Sequence, residues 1–137
     1  MRQETTMLDT EAVVLQAADT LIDAFMAHDR ERYFACFAPE ATFLFHTHPA
    51  RLDSRATYED LWARWEREDG FRVLGGESSD RRVDILGDIA VFTHSVATRL
   101  SMAGQVQSLR ERETIVFRHS AGRWLAVHEH LSAYPAG

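Results

Sequence analysis

Leu109-Arg-Glu-Arg-Glu-Thr-Ile-Val-Phe-Arg-His-Ser-Ala-Gly-Arg-Trp-Leu-Ala-Val-His-Glu-His-Leu-Ser-Ala-Tyr134 is the stretch that decides the fold. Apolar and charged positions alternate on either side of Ser120-Ala121-Gly122, the period-two pattern of two strands joined by a tight turn. Leu109, Ile115 and Phe117 share a face of the first strand with Glu111 and Glu113. On the second, Leu125, Val127 and Leu131 share a face with Glu129. A charge on the buried face of a sheet costs free energy unless something compensates it. The glutamates therefore point to a pocket.

Hairpin arithmetic sharpens this. If 89–100 and 105–118 pair about Ala103-Gly104, His94 lies opposite Glu113. If 105–118 and 123–133 pair about Ala121, Glu113 lies opposite Glu129. Direct cross-strand neighbours have Cβ atoms ~4.5–5.5 Å apart. Two enclosed glutamates that close raise one another's pKa, and a histidine beside them favours the ionised form. His94, Glu113 and Glu129 are the candidate acid/base set, with His46 as a fourth candidate member. A purely structural polar network is the competing account.

Upstream, 71–77 and 81–86 read as two short strands before a Gly87-Asp88 turn. The N-terminal half is helical. Asp9 is placed as an N-cap, with Leu8 and Val13 as a hydrophobic staple. Val14, Ala17, Ala18, Leu21, Ile22 and Phe25 then form one apolar face. Asp29 caps a short second helix carrying Tyr33, Phe34 and Phe37, which Pro39 closes. A strand is expected over 41–47. Thr57 and Asp60 resemble a capping box for a third helix carrying Tyr58, Leu61, Trp62 and Trp65, and Gly70 stops it. Helices grouped early and strands late indicate an α+β fold.

The composition bounds the rest. At 137 residues the chain reads as one domain over 1–137, large enough for a core without disulfides. A net charge of −6 argues against nucleic acid and anionic membrane as partners. No apolar run approaches a bilayer span, no signal-peptide core is present, and the single cysteine, Cys36, fits a cytoplasmic chain. Lysine and asparagine are both absent, as a GC-rich bacterial genome would produce.

Arg112-Glu113-Thr114, Gly122-Arg123-Trp124 and His128-Glu129-His130-Leu131-Ser132 resemble the end of SnoaL-like domains and of the association domain of calmodulin-dependent protein kinases. Both groups belong to the nuclear-transport-factor-2-like (NTF2-like, cystatin-like) superfamily. The run from Leu21 through Asp29 to Thr42 matches as well. The resemblance implies a cone-shaped, curved antiparallel sheet wrapped around three N-terminal helices, with a pocket inside and usually a homodimer. Two departures stand out. Steroid-isomerase-like members place a catalytic aspartate on the strand corresponding to 41–47, and this chain has no carboxylate there. The kinase domains carry pocket arginines where this chain has Val96, Ile115 and Leu131.

Tyr33, Trp62 and Trp65, on helices expected to close the cone, join His46, Phe92, Ile115 and Leu131 as candidate ligand-contacting residues. The pairs His46/His48 and His128/His130 have i, i+2 spacing suited to a metal, but they fall on different strands and faces, so none is expected. Trp124, His128 and His130 are placed on the outer face as a dimer surface. Arg110 and Arg112 are expected there too, paired with acidic neighbours. Two functions fit: a cofactor-free enzyme moving protons on an unknown, apolar small molecule, or a non-catalytic ligand-binding or assembly module.

Overall fold

The computed structural model describes residues 7–136. Helix α1 (Met7–Met26) and helix α2 (Arg30–Ala35) precede strand β1 (Phe37–Phe45). Helix α3 (Arg55–Asp69) follows, then β2 (Arg72–Leu86), β3 (Ile89–Met102), β4 (Gln105–Ser120) and β5 (Arg123–Ala133). The strands form one curved, unclosed sheet in the order β1-β5-β4-β3-β2. The expected all-antiparallel sheet is corrected at one point, because β1 runs parallel to β5. No helix among the described residues is long and apolar enough to cross a membrane.

Local chemistry sets most boundaries. Asp29 caps α2, its side chain accepting from the Arg32 amide at 3.3 Å. Gly70 ends α3 in the left-handed conformation (φ 61°) that glycine adopts without a Cβ penalty. Other expectations are corrected. The α1 helix already includes Asp9, which lies in its first turn rather than at its cap, and Val13 is half exposed; the expected staple to Leu8 lies outside the described side chains. The cap of α3 is Ser54, whose Oγ accepts from the Thr57 amide. Pro39 lies inside β1, not after a helix. An edge strand with a register irregularity tolerates the missing N–H. The two short strands expected at 71–77 and 81–86 are one, β2, carried through two bulges, with Asp80 at φ 52° in the second.

Alternate residues of β3 and β4 face the helices. Ala90, Phe92, His94, Val96, Thr98 and Leu100 are buried in β3, and Glu111, Glu113, Ile115 and Phe117 in β4. An aromatic cluster of Phe25, Tyr33, Phe34, Tyr58, Trp62 and Phe71 joins the three helices above this face. Helix α1 sits tight on the sheet at Gly76, where a Cβ would strike the Ala97 carbonyl and the Met26 side chain.

Candidate functional site

His94 faces Glu113 across the β3–β4 ladder, the register derived from the Ala103-Gly104 turn. The register on the other side of β4 differs from expectation. The β4–β5 turn is the two-residue Ala121-Gly122 pair, both at positive φ, with Ser120 opposite Arg123. That register alone would turn Glu129 outward. A bulge at Val127 adds one residue and returns it to the inner face, opposite Ile115 and diagonal to Glu113. The bulge also corrects the dimer-face assignment. Trp124 shares its face with buried Ala126 and packs against the core, on the opposite side from His128 and His130. His128 Nδ1 meets Thr42 Oγ1 at 2.8 Å. Arg110 and Arg112 stack on the Tyr134 ring, 4.1 and 5.1 Å from its centre, and neither forms the expected ion pair among the described residues.

Between sheet and helices lies a cavity of about 220 Å³. Its walls include Ile22, Phe25, Met26, Trp65, Leu100 and Leu109. At its inner end stand Tyr33, Tyr58, His94, Glu113 and Glu129; Thr47 and Gln107 mark its exposed end. Of the residues singled out from the sequence, Tyr33, Trp65, His94, Glu113, Glu129 and Leu131 line this cavity. Trp62, Phe92 and Ile115 do not. Trp62 is turned wholly into the aromatic cluster, and Phe92 and Ile115 form a fully buried cross-strand pair behind His94 and Glu113. His46 also stays off the wall, but its Nε2 reaches the lining carboxylate Glu111 at 2.7 Å.

The inner polar groups form one chain. Ser78 Oγ lies 2.6 Å from His94 Nδ1, and His94 Nε2 lies 2.6 Å from Glu113 Oε1. Glu129 stands diagonal to Glu113 across the β4–β5 ladder, close enough for each carboxyl to act on the other, and Tyr33 donates its hydroxyl proton to Glu129 Oε1 at 2.9 Å. That uses the only proton of Tyr33, so Tyr58 must be the donor in the 3.0 Å Tyr58–Tyr33 contact. Burial raises Glu129 well above the usual carboxylate range, and the neighbouring Glu113 charge adds to it. Burial likewise pushes Glu113 up to about 7. Burial lowers His94 to about 4, assisted by the Arg81 guanidinium. A 2.6 Å histidine–carboxylate contact favours an ion pair, but withdrawing both groups from water opposes it. Desolvation wins here. Burial thus favours the neutral form of all three groups: a protonated carboxyl at Glu129 and at Glu113, and an uncharged imidazole at His94.

Sequence reasoning gave no role to Tyr58, Ser78 and Glu111. The spacing of Tyr58 only places it on the apolar stripe of the third helix, though a buried tyrosine hydroxyl usually seeks a partner. Ser78 had no signal, since only the bulged path of β2 brings it to His94. Glu111 was read on the pocket face without a partner. Among the described residues, no group of three or more His, Cys, Asp or Glu side chains is arranged to hold a metal ion.

The profile of the SnoaL-like domain matches residues 14–137. The chain belongs to the SnoaL-like domain family. None of the curated proteins compared matches this SnoaL-like domain. Among solved structures, an NTF2-like protein from Cytophaga hutchinsonii superposes with a TM-score of 0.77 at 15% identity, over 98% of this chain and 100% of that one. A ketosteroid isomerase-like protein from Erwinia carotovora atroseptica gives 0.74 at 19% identity, over 91% and 96%. The calmodulin-dependent kinase II hub homology domain of Chlamydomonas reinhardtii gives 0.71 at 20% identity, over 92% and 97%. At these identities the likeness establishes the NTF2-like fold.

Proposed function

We propose that this SnoaL-like domain binds a small, mainly apolar compound and moves a proton on it without a cofactor, as an isomerase, cyclase or hydratase would. The observation that carries this reading is the buried Glu113–Glu129 pair, diagonal neighbours on β4 and β5, at the inner end of a mainly apolar cavity. A general base works best with a pKa near the operating pH, and Glu113 is raised to about 7. Glu129, kept protonated beside the Tyr33 hydroxyl, is a neutral acid able to donate a hydrogen bond to an oxygen that gains negative charge. His94, anchored through Nδ1 by Ser78, fixes the Glu113 carboxyl. In the simplest cycle Glu113 removes a proton from a carbon next to a carbonyl, the Glu129 carboxyl proton stabilises the enolate oxygen while Tyr33 holds the other Glu129 oxygen, and Glu113 returns the proton elsewhere.

The test is solvent exchange on a model ketone. In D2O the protein should accelerate deuterium uptake at the α-carbons of 2-tetralone with saturation. Glu113→Gln should reduce that acceleration by about 10²–10⁴, the usual worth of a positioned general base. Wild-type exchange no faster than in buffer, or exchange indifferent to Glu113→Gln, would remove the catalytic role.

The second reading is an oligomeric assembly module, favoured by the fold shared with the Chlamydomonas hub domain. Its surface would be the outer sheet face that carries His128 and His130. Light scattering decides it: a monomer at tens of micromolar would end this reading.

A further inference from the structure

The sign of charge in the cavity carries a further inference, which rests on the ligand-pocket reading above. All fifteen Lys+Arg residues of the chain are arginine, and none lines the cavity. The ionisable groups that line it are Tyr33, Tyr58, His48, His94, Glu111, Glu113 and Glu129. The arginine that acts on His94, Arg81, is turned elsewhere: it pairs with Asp19 at 2.6 Å and lies over the Phe92 ring. A carboxylate or phosphate entering this space would meet three acidic side chains and no guanidinium or ammonium to pair with.

Glu111 is the lining carboxylate set apart from the Glu113–Glu129 pair. It is 5% exposed and stands two residues along β4 from Glu113, a rise of about 7 Å toward the solvent end. His46 Nε2 reaches its Oε2, but no hydrogen bond among the described residues reaches Oε1. Its charge bears on Tyr58, which with Phe45 and Trp65 forms an aromatic wall to the same cavity. A buried carboxylate with one open oxygen beside aromatic faces has the chemistry of an ammonium receptor.

We propose that the ligand of this pocket is an apolar amine, its protonated nitrogen held by Glu111 while its body extends to the Glu113–Glu129 pair. The distance between the two acidic positions separates the nitrogen from the reacting group by about 7 Å, two residues of strand. Selection against anions then follows from the same arrangement.

Calorimetry of the full chain with 3-phenylpropylamine, 3-phenylpropanol and 3-phenylpropanoate tests this. The amine should bind about ten- to hundredfold more tightly than the alcohol, the worth of a charge-assisted hydrogen bond, and the acid should bind weakest. Glu111→Gln should bring amine and alcohol within about twofold of each other. His46→Gln, which leaves the carboxylate in place, should keep the amine preference and guards against a misfolded first variant. An alcohol that binds as tightly as the amine, or a preference that survives Glu111→Gln, overturns the inference. If the alcohol binds equally well while Glu113→Gln still controls ketone exchange, the charge inference alone falls. If none of the three binds at millimolar concentration, the ligand-pocket reading falls with it.

Discussion

His94 with Glu113 and His28 with Glu66 are contacts of nearly the same length, 2.6 and 2.8 Å, with opposite electrical outcomes. His28 sits in the α1–α2 link at φ 54° and joins three elements. Its Nδ1 accepts the Val73 amide proton at 2.9 Å, which leaves Nε2 to donate to Glu66. Burial alone would raise Glu66, but the His28 hydrogen bond and the Arg30 charge outweigh it and hold that carboxyl low. Glu66 keeps about a third of its side chain in solvent. His94 and Glu113 have almost none, and there the carboxyl rises while the histidine falls. Contact distance does not decide where the proton lies; access to water does. The first pair is a latch, and the second belongs to the candidate site.

The sharpest break of this contrast is Glu113→Gln. A carboxyl raised in the folded state contributes stability below its unfolded value of ~4.3, and that contribution is lost as pH rises through about 7. The variant should therefore gain on wild type between pH 5 and pH 8, by up to about 3 kcal/mol. Denaturant titrations at the two pH values measure it, and a difference that does not change with pH would contradict the burial argument. His94 works in the other direction. Its lowered value gives stability that is present above ~6.5 and is lost as pH falls through about 4.

A smaller effect is expected at the latch. His28→Ala leaves the Val73 amide without its acceptor and should cost about 1–3 kcal/mol. A loss below half of that range would mean that water takes over the bond. Ser78→Ala should cost only about 1 kcal/mol while releasing the His94 ring. Nitrogen-labelled histidine NMR should then show His94 changing its tautomer balance and His28 unchanged; an undisturbed His94 would exclude Ser78 from the chain. The smallest effect belongs to Glu66→Gln, under about 1 kcal/mol because the pair is part-solvated. Comparable losses at Glu66 and Glu113 would erase the distinction between latch and site.

Much of this was legible in advance because it is local. The alternation in β4 places Glu111 and Glu113 beside Ile115 and Phe117, and the Ala103-Gly104 turn fixes His94 opposite Glu113. Period and turn length suffice for both. Glu129 was placed on the correct face by compensating errors: the turn register was off by one residue, and the unforeseen Val127 bulge restored the parity. Trp124, before the bulge, received no such correction and was assigned to the wrong side. Trp62, Phe92 and Ile115 have the composition of pocket wall, yet lie behind it. Composition ranks a side chain as apolar without saying whether protein or empty space faces it.

The sequence by itself determined the α+β order, the inward carboxylates and the family likeness, since these follow from periodicity, turn residues and motif spacing along the chain. Tertiary structure alone decided which groups share protons. Tyr33 and Glu129 are 96 positions apart, Tyr33 and Tyr58 are 25, and Ser78 meets His94 only because β2 bulges. Hydrogen bonds need partners within a few tenths of an ångström, and the desolvation that places their protons depends on every element packed around them. Neither quantity has a period that a linear sequence can display.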